Sequence, residues 1–252
     1  MQTTQVIYDG SFDGFLTSVF DCYQYRIVNP ILIKESRFNK TLFAETLTVY
    51  TNTEHADRVW NGLKKHIGTK GCNFLYFSFL SELNAIENTM LNVVKYAFYT
   101  KKNIISDFGH PDVLSLSKIV KKVGREKHRM EAFVRFQETK DHIYFSHIEP
   151  DFNVLPLIAK HFAQRYADQK WIIYDIKRHY GMYYNLSNTQ TITLSNDTRG
   201  FGPEIFTDNE KAYETLWKDY FKSTNIEERI NTALHVKHVP KRYWKYLSEK
   251  QP

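Results

Sequence analysis

The sequence predicts an α+β fold, with mixed helices, short antiparallel sheet and helices closing the C-terminal end. Three observations lead there. Apolar residues recur at helical spacing through much of the first 100 residues. Between Phe133 and Leu194 the pattern reads strand, strand, helix, strand, strand. A 252-residue chain that is 42% hydrophobic and 25% charged can bury a real core, which excludes disordered and fibrous classes.

Taken in order, Gln5 to Tyr8 is a short strand, and Asp9-Gly10-Ser11 turns into a helix that Ser11 can cap. Phe12, Phe15, Leu16, Val19, Phe20 and Tyr23 give that helix one apolar face. Thr46 to Thr51 alternates polar and apolar residues as a strand does, and Thr53 precedes a helical pattern (Val59, Trp60, Leu63, Ile67) expected to stop at Gly68. From Asn73 to Tyr99 the spacing suits one buried helix, or two joined near Asn84 to Glu87. Asp107 to Asp112 is turn-rich, and Asp112 or Ser115 is expected to cap a basic helix ending near Met130.

Phe133 to Phe136 and His142 to Ile148 are predicted as two strands joined at Glu138 to Asp141, followed by a helix from Val154 to Tyr166. Trp171 to Ile176, Met182 to Leu186 and Thr189 to Leu194 complete the predicted sheet. Capping-box spacings at Thr207 to Glu210 and Asn225 to Glu228 predict two closing helices. Two regions are expected, 1–110 as an α/β region with long buried helices and 111–252 as an α+β region, or else a single domain. No linker longer than a turn marks the boundary.

No stretch approaches the roughly 18 apolar residues of a membrane span. The beginning of the chain has no basic residue before Arg26, unlike a signal peptide, so a cytoplasmic protein is expected. Cys22 and Cys72 are too few for a disulfide framework or a metal cluster, and each reads as a buried thiol. The Gly-x-x-x-x-Gly-Lys-Ser/Thr, Gly-x-Gly-x-x-Gly and Gly-x-Ser-x-Gly signatures are missing, so nucleotide hydrolysis, dinucleotide redox and α/β-hydrolase chemistry lose their usual support.

The net charge of +6 is unevenly placed. Lys118, Lys121, Lys122, Arg125, Lys127, Arg129 and Arg135 face only Glu126 and Glu131 over 118–135, a net +5. Over 234–250 five basic residues face Glu249 alone, a net +4, so the rest of the chain stands at −3. Two basic islands on an acidic body favour a polyanionic partner. On a helix, Lys118, Lys122, Arg125 and Arg129 align at spacings of four, three and four, a repulsive stack that an anion would relieve, unless Gly124 breaks the helix. Pro240-Lys-Arg-Tyr-Trp-Lys-Tyr246 interleaves cations with rings, a mixture that grips a phosphate backbone and stacks on bases. Residue type favours the other use of these rings, docking the tail with Tyr243, Trp244 and Leu247 buried and the cations wet, with Lys241 and Arg242 left to meet phosphate. The nucleic-acid-binding candidates are therefore Lys118, Lys121, Lys122, Arg125, Arg129, Lys241 and Arg242.

The ten histidines fall in no specific zinc pattern. The alternating His147, Glu149 and Asp151, and His110 between Asp107 and Asp112, are loose candidates, and no metal or other cofactor is expected. Asp175, inside an apolar strand, needs a partner, for which Lys177, Arg178 or the basic helix are available.

Several segments together resemble a known family: Tyr8-Asp-Gly-Ser-Phe12 with Gly14-Phe15-Leu16, His128-Arg129-Met130 leading to Phe133-Val-Arg-Phe136, Ile148-Glu-Pro-Asp151, His161-Phe162, Trp171-Ile-Ile-Tyr-Asp175, Ile226 to Asn231, and Pro240 to Lys245. They are similar to a bacterial family of DNA metabolism or repair proteins that accompanies a radical-SAM protein proposed to modify or repair DNA. The resemblance implies a cytosolic, DNA-linked and partner-dependent protein and transfers no catalytic residue. Some relatives look to be joined to a uracil-DNA-glycosylase-like domain, for which these 252 residues leave no room. The expectation is a nucleic-acid-binding accessory protein. The alternatives are an enzyme of unrecognised type, using Asp175, His128 or the His147, Glu149 and Asp151 trio, and a protein-interaction scaffold whose islands meet an acidic partner.

Overall fold

A computed structural model of the protein describes residues 3–39, 45–193, 206–207, 210, 215–216 and 236–250. These residues form an α+β structure, divided into two compact units, Met1–Gly124 and Arg125–Pro252.

The first unit holds a three-stranded parallel sheet in the order β2 (Pro30–Lys34), β1 (Thr4–Tyr8), β3 (Glu45–Thr48). Helix α1 (Phe12–Gln24) follows β1, capped by the Ser11 hydroxyl, which accepts from the Gly14 amide at 2.9 Å. Phe15, Leu16 and Val19 of its predicted apolar face are buried, with Cys22 beside them, whereas Tyr23, which the spacing puts on that face, is 49% exposed. Strand β2 is absent from the sequence reading. It is five residues long and opens on proline, which is tolerated at the first position of an edge strand.

Helix α2 (Thr53–Phe79) is capped by Asn52, and its first part stops at Gly68 as expected, with a second helical part continuing beyond the break to Phe79. Gly68 is non-helical, with φ +66°, and marks a kink. After Phe79 the chain turns, and α3 (Ile86–Thr100) starts behind Ala85 in the left-handed region at φ +58°, so the expected junction near Asn84 to Glu87 is real. Phe12 lies edge-on to Trp60, Tyr76 and Phe79, with ring centroids 5.5, 5.1 and 5.1 Å away, and ties α1 to α2. Helix α4 (Pro111–Phe133) begins one residue earlier than the predicted caps, with proline in its first position, and Asp112 instead accepts from the Asn92 amide at 3.1 Å.

The β1–α1 turn closes tightly. The Asp9 carboxylate accepts from the Ser11 amide and hydroxyl at 2.8 and 2.7 Å and from the Thr51 hydroxyl at 2.7 Å. Against the desolvation that opposes them, these bonds hold the Asp9 carboxyl below its ordinary value. A Cβ at Gly14 would stand 2.2 Å from Asp9 Oδ1, so Gly14→Ala must break part of this network. A loss of about 1–3 kcal/mol in urea unfolding is expected, and an unchanged midpoint would contradict it.

The second unit holds a five-stranded sheet in the order β4 (Gln137–Glu138), β5 (Tyr144–Ile148), β6 (Trp171–Asp175), β7 (Tyr180–Tyr184), β8 (Thr189–Ile192). Only β5 and β6 are parallel, joined through α5 (Leu155–Arg165); the other neighbours are antiparallel. The core is made by Val154, Leu155, Ile158 and Phe162 against Trp171, Ile173 and Tyr174, all at most 2% exposed. The strand expected at Phe133 to Phe136 is not one. Phe133 ends α4, and Phe136 packs on Phe162, Tyr166 and Trp171 at 5.7, 5.4 and 6.3 Å, so ring burial overrides β propensity and pairing begins at Gln137. Strand β7 starts two residues before its predicted beginning because Arg178 closes the preceding turn on Asp175. Of the two expected closing helices, Asn225 to Glu228 and the middle of Thr207 to Glu210 lie outside the described residues. The Glu210 carboxylate accepts from the Glu138 amide at 2.7 Å, and the described tail forms 3₁₀ segments at Lys241–Tyr246 and Ser248–Lys250.

Candidate functional site

Helix α4 carries six of the seven basic residues of the first island, and its apolar face explains how they are presented. Val113, Leu116, Val123 and Met130 are buried, which fixes the opposite face toward solvent. The helix runs unbroken through Gly124. Lys118, Lys121, Lys122 and Arg125 stand at i, i+3, i+4 and i+7, within an arc of about 100°. All four are exposed, and none has an acidic partner among the described residues.

Below Arg125 the island changes character. Lys127 bonds Glu131, Arg129 lies 3.6 Å from Glu126, and Arg135 pairs with Glu249 at 2.8 Å. Arg129 is half-buried against Glu126 and so is spent inside the fold. The exposed row is thus Lys118, Lys121, Lys122 and Arg125, with Lys121 in the place that spacing gave to Arg129.

The C-terminal island is largely neutralised. Glu126 is 1% exposed and accepts from the Tyr243 hydroxyl, from Arg242 at 3.2 Å and from the Asp151 amide at 2.9 Å. Arg242 also meets Asp151 at 2.7 Å. Burial first, then the bond to Glu126, pushes the Tyr243 hydroxyl well above the usual phenol value. Lys245 and Tyr246 both bond Glu149, and burial together with that bond pushes Tyr246 up to about 12. Tyr243 and Leu247 are buried as a docked tail requires, whereas Trp244 is half-buried with its indole N–H on the Val239 carbonyl at 2.9 Å. Lys241 remains exposed, 5.9 Å above the Trp244 ring.

His147, Glu149 and Asp151 are brought together by this docking, each facing the tail. His147 lies edge-on to Tyr246 at 5.2 Å, and desolvation of its ring followed by the Lys245 charge pulls it below the ordinary imidazole value. Among the described residues no group of three His, Cys, Asp or Glu side chains is placed to hold a metal ion. His128 projects into solvent, 3.9 Å from Glu131. His110 stacks on Tyr96 at 4.4 Å, whose hydroxyl donates to Asp107 at 2.6 Å. Asp175 is wholly buried and bound by Arg178 at 2.9 Å; burial raises its carboxyl while the guanidinium opposes the rise. Both cysteines are buried, with Cys22 pushed up to about 11 by desolvation. Among the described residues no helix is long and apolar enough to cross a membrane.

The bonds from Lys245 and Tyr246 hold the Glu149 carboxyl below its ordinary 4.5. A lowered folded value means that the tail's anchorage is complete above pH 4.5 and is lost as the pH falls through the folded value. The stability difference between the native chain and Glu149→Gln in urea is therefore expected to be constant near neutrality and to shrink under acid. A gap that persists unchanged in acid would refute the anchorage.

Sequence reasoning missed a cleft of about 1050 Å3 in the second unit, because α4, β4, β5, α5 and the tail each contribute to it. A family model described as a domain of unknown function, DUF4130, matches residues 84–249. The chain belongs to the DUF4130 family. The DUF4130 match contains all of α4, the five-stranded sheet, the docked tail and the cleft. No curated protein matches the chain. Among solved structures it is similar to the pGpG-specific phosphodiesterase PggH from Vibrio cholerae, with a TM-score of 0.38 and 10% identity over 89% of this chain and 99% of that one. At that score a common topology does not follow.

Proposed function

We propose that this DUF4130 protein is a nucleic-acid-binding accessory protein of DNA metabolism or repair, which takes the phosphate backbone on helix α4. One observation carries the reading. Lys118, Lys121, Lys122 and Arg125 share one exposed arc without an acidic partner among the described residues, while the basic residues from Lys127 to Arg135 are paired inside the fold. Aligned like charges repel one another by a few tenths of a kcal/mol per pair, and a polyanion removes that cost. Lys241 is a further exposed cation on this reading, and Arg129 and Arg242 support the fold that presents the row. Phosphate contacts position a chain without reading its sequence, so little base preference is expected.

Four phosphate contacts give a slope of log affinity against log salt of about −3.6 on duplex DNA. Filter binding across a salt series measures it. No binding at low salt, or an affinity indifferent to salt, overturns the reading. The association with a radical-SAM protein in the cytoplasm rests on the sequence resemblance, and co-purification with and without DNA is its test.

A further inference from the structure

The cleft in the second unit combines three chemistries in one place. The first is aromatic. Tyr166 lines it, backed by the buried Phe162 with rings nearly parallel, 6.1 Å apart at 7°, and Tyr246 contributes a further ring. The second is neutral hydrogen bonding. Gln137 and Gln169 line the cleft, and neither side-chain amide has a hydrogen-bond partner among the described residues; the same is true of the Tyr166 hydroxyl. The third is charge. Arg165, the last residue of α5, lies exposed 5.8 Å above the Tyr166 ring, with no carboxylate partner among the described residues.

A cleft of this size stands at the upper limit of small-molecule sites. An aliphatic ligand would leave both amides and the guanidinium unsatisfied once desolvated, and a bare inorganic anion would leave the rings uncovered. A planar heteroaromatic ring carrying an anion satisfies all three at once: it stacks on Tyr166, presents donors and acceptors to the amides, and sets its negative charge beside Arg165. The geometry points to an unstacked nucleotide of a single strand as the occupant of this cleft. The inference rests on the nucleic-acid reading above. Arg125 stands six residues, about 9 Å, before Glu131, which itself lines the cleft, so a strand held at the end of the row has only a few nucleotides to span.

The experiment compares a short thymidine oligonucleotide, the same backbone with abasic sites throughout, and a blunt duplex, by fluorescence anisotropy at fixed salt. The native chain is expected to hold the thymidine strand about 5- to 150-fold more tightly than the abasic one, the range for one stacked base. Tyr166→Ala and Arg165→Glu should each remove most of that preference while leaving duplex affinity within about 2-fold. Tyr166 packs on Phe136 and Phe162, so Arg165→Glu, an exposed change that melts as the native chain does, carries the decision if Tyr166→Ala is unstable. Equal binding of thymidine and abasic strands, or an Arg165→Glu variant that keeps the preference, overturns the inference while duplex binding stands. Failure to bind all three probes overturns both readings.

Discussion

Replacing Glu126 with alanine is expected to lower the unfolding free energy by about 1–3 kcal/mol, the range for leaving a buried polar group without its partner. The carboxylate is 1% exposed and serves four groups at once: the Tyr243 hydroxyl, the Asp151 amide, Arg242 at 3.2 Å and Arg129 at 3.6 Å. Arg129 and Arg242 reach solvent and rehydrate when the carboxylate goes. Tyr243, 1% exposed, cannot, and its hydroxyl is left in the interior beside a void. Glu126→Gln keeps an acceptor and should lose less. Urea unfolding of the three proteins measures the order, and a Glu126→Ala loss below about 1 kcal/mol would show that the tail is held by its apolar contacts alone.

Reversing Lys122 and Arg125 to glutamate together should have the opposite profile, with a large loss of DNA affinity and no loss of stability. Two phosphate contacts fewer reduce the magnitude of the salt slope by about 1.8. The two new carboxylates would also repel the backbone, so affinity at low salt should fall by more than the slope alone indicates. In the folded protein the change is benign. Lys118 and position 122, Lys121 and position 125, and position 125 and Arg129 are each four apart on α4, so three repulsive pairs become attractive while position 122 and Glu126 become repulsive, each change worth about 0.2–0.5 kcal/mol and the sum still favourable. A doubly reversed variant that melts at or above the native temperature and binds poorly fits an unneutralised row. One that binds normally removes α4 from the interface.

How much of this was legible depends on the range of the interactions involved. Helix α1 was readable because Phe15, Leu16 and Val19 repeat at the period of the helix and Ser11 supplies its cap locally. Strand β2 was not, since five residues opening on Pro30 carry neither alternation nor length. Phe133 to Phe136 misled because β propensity reports a half-buried surface in general, whereas Phe136 meets Phe162 and Trp171 in particular. The cations of α4 were visible as residues, but their state of neutralisation was not. Local spacing cannot show that Glu249 reaches Arg135 across 114 residues, or that Glu126 takes Arg242 across 116. The docking of Tyr243 and Leu247 was readable from residue type, but Trp244 is only half-buried and the cations expected to stay wet are paired at Arg242 and Lys245; the partner of Asp175 was among those named. The cleft left no linear trace, because its lining comes from five separate elements.

The long sequence separations of the tail contacts also set an order of events during synthesis. Glu126, Glu149 and Asp151 leave the ribosome roughly a hundred residues ahead of Lys241 to Lys245, at a translation rate of about 5–20 residues per second. For several seconds the nascent second unit has acidic groups but not the basic and phenolic ones that later cover them, so Glu126 must stay hydrated and the core around it open. Closure of this half therefore waits for the arrival of Tyr243, and a ribosome stalled before that residue is expected to hold a chain that a protease can still enter.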